Sequence, residues 1–168
     1  MQQRCSYSTM AERDLDEVIT IEREVFSHPW SKEFFRLIIS DSNNWVITMR
    51  RDDLMVGYGG YHLLKKGTPF LFSESRLMRT IHLINIAVSP PLQNHGFGTM
   101  LLDFLLDNAK RSNAEYCYLE VRPSNLRAFQ FYQHRDFSVI GLIENYFPQE
   151  KESAIVMGTE LSGLIRER

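Results

Sequence analysis

The sequence has few cysteines, no long apolar run and almost no excess of charge of either sign. Cys5 and Cys117 are the only cysteines, and without a CxxC spacing they indicate reduced thiols and no metal site. No apolar stretch approaches the roughly 20 residues that a membrane span requires, and the first residues lack the apolar segment of a signal peptide. The net charge of −2 argues against the basic surface that nucleic-acid binding favours. We therefore expect a cytoplasmic protein without direct nucleic-acid or membrane contact.

Length and apolar content predict one domain with a complete core over residues 1–168. A capping box at Thr9 and Glu12 predicts a first helix, and Ser31 is the predicted cap of a second. A hairpin is predicted around residues 51–53. The later strands and helices are predicted at residues 81–88, 98–111, 116–121, 125–134, 138–143 and 153–158. This order predicts an α/β (α+β) fold with a mixed sheet.

The stretch Gln-Asn-His-Gly-Phe-Gly at residues 93–98 lies between an apolar run at 84–88 and an amphipathic helix that follows it. Glycines at a strand-to-helix junction leave backbone N–H groups accessible, and the helix dipole favours an anion there. A tight turn without a ligand is the alternative. A Walker loop is excluded because no lysine follows Gly98, and a dinucleotide fingerprint is excluded because its third glycine is absent. The turn and the phosphate cradle both remain open at this point.

The Gln-x-x-Gly-x-Gly pattern resembles the pyrophosphate loop of the GNAT acyl-CoA N-acyltransferases. The run Tyr-Leu-Glu-Val-Arg-Pro-Ser-Asn at 118–125 and the Phe-Tyr pair at 131–132 are similar to the second half of the same fold. Asn-Tyr-Phe-Pro at 145–148 and Pro-Trp-Ser at 29–31 resemble the bacterial ribosomal-protein-alanine N-acetyltransferases. The resemblance implies a single GNAT-type domain. Its mixed twisted sheet would carry helices on both faces, and its central parallel strands would splay at their C-terminal ends.

The resemblance implies acetyl-CoA as the cosubstrate and no metal. The pantetheine arm would run along the strand that ends at Val88, with a backbone amide there facing the thioester carbonyl. The implied cofactor-binding residues are Ile86, Ala87, Val88, Asn94, His95, Gly96, Phe97, Gly98, Thr99 and Asn125. Members of the family often have basic residues where this chain has Asn94 and His95. We therefore expect weaker binding that depends on pH through His95.

Glu120 is the candidate general base. In a strand, Tyr116, Tyr118 and Glu120 share one face, and the chain turns soon afterwards at Pro123, which places the carboxylate at a sheet edge. By position alone, an ion pair with Arg122 at a solvated strand edge is the alternative. The resemblance assigns the general-base role to Glu120.

Tyr132 is the candidate general acid. Ala128, Phe129 and Tyr132 follow helical spacing, so an amphipathic core tyrosine is the alternative interpretation. The resemblance assigns to Tyr132 the proton that the departing thiolate receives. The glycine that usually follows this helix is replaced by Asp136, which tolerates the left-handed conformation expected there.

The implied acceptor is the N-terminal α-amine of a protein, with an N-terminal alanine and a small-subunit ribosomal protein expected. Loops containing Trp30 and Tyr146 would flank this amine, although Trp30 is equally consistent with a core position. Glutamates at 144, 150 and 152 could meet a basic tail, or could form an ordinary solvated face. The chain is expected to be a monomer or weak dimer.

Two other functions remain open from the sequence. One is N-acetylation of a small amine such as a polyamine, an aminoglycoside or an amino acid, which the long segment at residues 64–80 keeps in consideration. The other is a non-catalytic acyl-CoA-binding module. The presence of both Glu120 and Tyr132 argues against the second function, because a silent protein has no chemical need for either group.

Overall fold

The computed structural model of this chain describes residues 5–64 and 78–161. Two compact units are present: residues up to Leu63 with Leu83–Asn108, and Leu64–His82 with the residues from Ala109 onward. Most of the long segment at residues 64–80 lies outside the described residues. The single domain over residues 1–168 stays a prediction.

The first unit is built on antiparallel strands with two helices packed on them. Its elements are β1 (Ser6–Thr9), α1 (Leu15–Val25), α2 (Lys32–Ser40), β2 (Asn44–Arg51) and β3 (Leu54–Leu63), followed by most of β4 (Thr80–Val88) and of α3 (Phe97–Arg111). β1 pairs with β2 and β2 with β3, both antiparallel. The apolar stripe of α1 packs on Phe35, Met55 and Tyr58 to form a buried core.

The second unit joins the start of β4 to the later strands. Its other elements are β5 (Tyr116–Val121), α4 (Leu126–Gln133), β6 (Ser138–Phe147) and β7 (Glu152–Glu160). β4 and β5 are parallel, with His82 opposite Tyr118 at the end of the paired residues. β7 pairs antiparallel with both β5 and β6. Along the sheet, the hydrogen-bonded order is β1-β2-β3-β4-β5-β7-β6, which confirms the mixed α/β fold. The splay of the parallel strands stays a prediction.

Several local signals are confirmed and one is wrong. Ser31 Oγ accepts the Phe34 N–H at 3.1 Å, as expected for the helix cap. Asp136 is left-handed with φ 63°. The capping box at Thr9 is wrong, because Thr9 belongs to a strand and a 3₁₀ turn at Glu12–Asp14 precedes α1. There the Asp14 carboxylate accepts the Ala11 N–H instead.

The predicted loop around Tyr146 is also corrected. β6 extends through Phe147, so Asn145 and Tyr146 lie within a strand. The pairing with β7 is irregular between Ile143 and Phe147, and Asn145 has φ 54°. An extra residue in an edge strand re-aims the side chains around it. Tyr146 is therefore presented by an irregular strand end.

Candidate active site

The loop at residues 93–98 is fastened to the end of β4 by its first residue. Gln93 Nε2 donates to the Val88 carbonyl at 3.0 Å, and the Gln93 N–H donates to the Pro90 carbonyl of the intervening 3₁₀ turn. The glutamine of the Gln-x-x-Gly-x-Gly pattern thus has a structural function. It holds the loop against the strand that is the candidate site of the cosubstrate arm.

Gly96 gives this loop the form of an anion cradle. Its φ is +84°, and a Cβ built on it would meet nothing within 4 Å. α3 begins at the next residue, Phe97, and runs for 15 residues. The first N–H groups of a helix have no partner within the helix, and its dipole favours an anion at that end. The open face of Gly96 therefore fits a phosphate group.

His95 makes a hydrogen bond within the same loop. Its Nδ1 lies 2.7 Å from the Gln93 carbonyl oxygen, and a carbonyl can only accept, so Nδ1 carries the proton. In the neutral ring Nε2 is then an acceptor, which does not favour a phosphate. Only the protonated imidazole offers a second N–H to an anion.

The end of β4 is closely approached by two glycines of β3. A Cβ on Gly57 would lie 2.3 Å from the Ala87 carbonyl oxygen and 3.1 Å from the Val88 Cα. A Cβ on Gly59 would lie 3.1 Å from the Asn85 carbonyl oxygen. Ala87 is buried at 3% exposure. The residues at 86–88 therefore occupy a position that depends on the absence of side chains at these two β3 sites.

In the second unit, Glu120 is paired with a histidine that the sequence patterns did not identify. His82 Nε2 lies 2.5 Å from Glu120 Oε2, and the two side chains are 22% and 12% exposed. The His82 ring stacks on Tyr118, with centroids 4.5 Å apart and planes within 7°. The alternative partner Arg122 instead binds Glu150 at 2.8 Å. Glu120 is thus a largely enclosed carboxylate with one oriented donor.

Two phenols lie close enough to this carboxylate for its charge to act on them. Burial raises the pKa of Tyr118 to about 12, and the negative charge of Glu120 adds to the shift. Burial also raises the pKa of Tyr146, again with a contribution from Glu120. Both phenols are protonated at neutral pH and can donate hydrogen bonds. Tyr146, 41% exposed, is the more exposed of the two, and Tyr118 is half-buried.

Tyr132 lies on α4 and is almost fully buried, at 7% exposure. Its ring contacts Phe137 with centroids 5.6 Å apart. Burial raises its pKa well above the ordinary range, with a further contribution from the Cys117 thiol. Cys117 and Glu120 point to opposite faces of β5. Tyr132 is thus a buried phenol, and no hydrogen bond joins it to Glu120 among the described residues.

Asn125, at the start of the predicted helix, caps α4. Asn125 Oδ1 accepts the Ala128 N–H at 3.1 Å. This bond uses the amide oxygen of Asn125. The cap does not use the amide nitrogen, which could donate in the cofactor contact predicted for this residue.

The family model described as "Acetyltransferase (GNAT) family" matches residues 15–137 of this chain. The chain belongs to the GNAT acetyltransferase family. The ribosomal protein bS18-alanine N-acetyltransferase of Salmonella typhimurium is 29% identical to it over 158 residues, which are 92% of this chain and 97% of the relative. An N-alpha-acetyltransferase of Sulfolobus acidocaldarius is 30% identical over 149 residues, 88% of each chain.

A solved structure gives the same fold. The crystal structure of the ribosomal-protein-S18-alanine N-acetyltransferase from Escherichia coli superposes with a TM-score of 0.79 at 24% identity, covering 98% of this chain and 99% of that one. The predicted GNAT fold is thereby confirmed, and the chain is an acyltransferase by family.

The contacts of Trp30 agree with the core position, which was one of the two interpretations of this residue from the sequence. Trp30 is half-buried and its ring packs on Phe34 and Phe35, with centroids 4.8 and 5.5 Å away. Its backbone N–H donates to Glu22 Oε1 at 2.9 Å. Glu22 is 1% exposed. Trp30 is therefore a core-edge residue held in place by a buried carboxylate.

The glutamates proposed to meet a basic tail are engaged within the chain. Glu150 pairs with Arg122. Glu152 accepts from both the N–H and the hydroxyl of Ser124, at 2.9 and 2.6 Å, and these bonds lower its pKa. Two of the three carboxylates thus stabilise the turn between β5 and α4, and they form no unpaired acidic face.

The sequence patterns missed two functional candidates in this GNAT fold, His82 and Glu22. Each lies in a segment that was assigned correctly as strand or helix, but the partner of each is remote in sequence. Among the residues the structure describes, no group of three His, Cys, Asp or Glu side chains is arranged to hold a metal ion. None of the helices within 5–64 and 78–161 is long and apolar enough to cross a membrane.

Proposed function

We propose that this chain transfers an acetyl group from acetyl-CoA to the N-terminal α-amine of a protein, with an alanine-led small-subunit ribosomal protein as the acceptor. The observation that carries the proposal is the enclosed Glu120 carboxylate, oriented by one donor and faced by two protonated phenols. The names of the two relatives support the α-amine and the alanine. Such an acceptor would place the reaction in the cytoplasm, and the predicted monomer or weak dimer is retained.

Acetyl-CoA would be held by the first unit through its backbone. The open face of Gly96 would leave room for the pyrophosphate, and the first N–H groups of α3 would donate to it. The residues Ile86, Ala87 and Val88 would pair with the pantetheine arm as an added strand. When bound, acetyl-CoA supplies an acetyl thioester.

Glu120 would remove a proton from the acceptor. A protein α-amine has a pKa of about 7.7–8.0, so a large fraction is protonated at neutral pH and one carboxylate suffices to complete the deprotonation. The neutral nitrogen then replaces sulfur at the carbonyl carbon: the C–N bond forms and the C–S bond breaks. Water accepts the second proton of the nitrogen, or Glu120 accepts it after passing the first proton to water.

Tyr132 would return a proton to the departing sulfur. Its raised pKa keeps the phenol protonated across the working range, and a thiolate whose conjugate acid has a pKa near ~8.5 becomes basic enough only as the C–S bond breaks. Tyr146 lies close enough to Glu120 to interact with its charge. Its hydroxyl would therefore donate to the backbone of the first acceptor residues.

The test compares three acceptors in one assay. Intact-mass measurement after incubation with acetyl-CoA would follow a basic alanine-led peptide, the same peptide blocked at its N-terminus but carrying a lysine, and a set of polyamines and aminoglycosides. We expect the free N-terminus to be preferred, because the lysine amine has a pKa of ~10.4 and is far more fully protonated. Preference for the blocked peptide would assign lysine acetylation instead. Activity only on small amines would establish the small-molecule function.

Glu120→Gln provides the matched control for this assay. It keeps size and loses basicity, and we expect turnover to fall by about 10²–10⁴-fold. Full activity of Glu120→Gln would remove Glu120 from the general-base role.

A further inference from the structure

His82 and Glu120 are brought together by the register of the two parallel strands. His82 lies directly opposite Tyr118, and Glu120 is two residues further along the same face of β5. The imidazole is confined between its stacking partner Tyr118 and the carboxylate. Three side chains from two strands thus form one continuous contact.

The contact with His82 fixes one oxygen of the Glu120 carboxylate and leaves the other to accept a proton. A carboxylate only accepts hydrogen bonds, so His82 Nε2 is the protonated nitrogen and donates to Oε2. Oε1 is then the oxygen left to face an acceptor amine or a bridging water. Without a donor on Oε2, the terminal torsion of glutamate is broad, and the carboxylate plane would vary.

We propose that His82 is a positioning residue for catalysis, which holds the Glu120 carboxylate so that Oε1 faces the acceptor amine. The inference rests on the proposed role of Glu120 as general base. In this scheme His82 acts as a hydrogen-bond donor through Nε2–H, and its ring is held by stacking on Tyr118. Its contribution is orientation, and a misplacement of about 1 Å in a reacting group can lower a rate by about 10²-fold.

A pair of amide substitutions separates positioning from general packing. His82→Gln places an amide nitrogen close to where Nε2 lies, so it can donate to Oε2. His82→Asn carries the same amide one methylene shorter and cannot reach that oxygen. We expect His82→Asn to lower kcat by about 10–100-fold and His82→Gln by less than about 5-fold. The KM for acetyl-CoA should stay within about 2-fold in both, because the cosubstrate is held elsewhere.

A double-mutant cycle tests whether the effect passes through Glu120. In the Glu120→Gln background, His82→Asn should lower kcat by no more than about 2-fold further, because the base that it positions is already gone. Equal activity of His82→Asn and the wild type would overturn the inference. The inference would also be overturned if the losses of kcat in His82→Asn and Glu120→Gln multiplied fully in the double variant. Equal losses of kcat in His82→Gln and His82→Asn would overturn it as well.

The assay uses the amine that the wild type acetylates fastest, so that two failures can be told apart. If that amine is not an N-terminal amine, the proposed acceptor is wrong while the His82 comparison still stands. If Glu120→Gln keeps full activity, Glu120 is not the base, and the role inferred for His82 is overturned with it. Calorimetric acetyl-CoA binding by each variant checks that the protein is folded.

Discussion

Gly57 is the position where one added methyl group should disturb both stability and cosubstrate binding. In Gly57→Ala the new Cβ would lie 2.3 Å from the Ala87 carbonyl oxygen and 3.1 Å from the Val88 Cα. Both neighbours are backbone atoms, so no side-chain rotation can relieve the contact. Ordinary van der Waals contact begins near 3.4 Å, and the end of β4 must therefore move by about 1 Å relative to β3.

The expected magnitude follows from overpacking and from the bonds that β4 is proposed to make. Forcing an additional methyl into a packed site costs about 1–3 kcal/mol of folding free energy. If the shift removes one backbone hydrogen bond to the pantetheine arm, a further loss of about 0.5–1.5 kcal/mol weakens acetyl-CoA binding by roughly 2–12-fold.

Gly141→Ala is the matched control for this change. Gly141 also lies in a strand, and a Cβ there would meet nothing within 4 Å. We expect its stability to stay within about 0.5 kcal/mol of the wild type, or to rise slightly, because alanine restricts the unfolded chain. Urea unfolding and calorimetric titration with acetyl-CoA measure both quantities. If Gly57→Ala behaves like Gly141→Ala in both, the inferred contact between β3 and β4 is refuted.

Three further outcomes are expected. Glu22→Gln should lower the free energy of unfolding by about 1–3 kcal/mol, because both carboxylate oxygens of Glu22 accept hydrogen bonds and an amide has only one accepting oxygen. The control Glu24→Gln, at an exposed position of the same helix, should change the free energy of unfolding little in the same urea titration. Tyr132→Phe should lower kcat by about 10²–10⁴-fold with nearly unchanged acetyl-CoA affinity. Burial raises the pKa of Tyr132 above the ordinary tyrosine value of about 10. The kcat of the wild type should therefore show no alkaline loss from this group up to about pH 10. A fall in kcat near pH 9 that is absent in Tyr132→Phe would contradict this. Gly98→Val should abolish acetyl-CoA binding in a protein that still unfolds cooperatively, whereas unchanged calorimetric affinity would exclude the phosphate cradle.

Much of the architecture was predictable because it depends on neighbouring residues. The turn between β2 and β3 has Asp52 and Asp53 at φ 50° and 65°, a conformation that aspartate tolerates. Ser31 and Asn125 cap the helices that follow them, since a cap needs only a residue two or three positions away. β5 spans Tyr116–Val121, as its alternation predicted. The positions of the glycine loop and of Glu120 were likewise predictable from neighbouring residues. Their roles were implied only by the family resemblance.

The partners of the site residues were decided by tertiary structure alone. His82 and Glu120 are 38 positions apart, and the register of two strands brings them together; a slip of one residue would send them to opposite faces. The Glu22 carboxylate accepts a hydrogen bond from the hydroxyl of Tyr58, which is 36 positions away. The same carboxylate accepts from the Trp30 N–H. From the sequence Glu22 is only one residue of a helix, yet its carboxylate holds the loop that follows. Tyr146 interacts with the charge of Glu120 from a strand end whose pairing with β7 is irregular. The periodicity of a sequence indicates which face of a helix or strand a residue occupies. Only the pairing of segments that are distant in the sequence determines which side chain it contacts on that face.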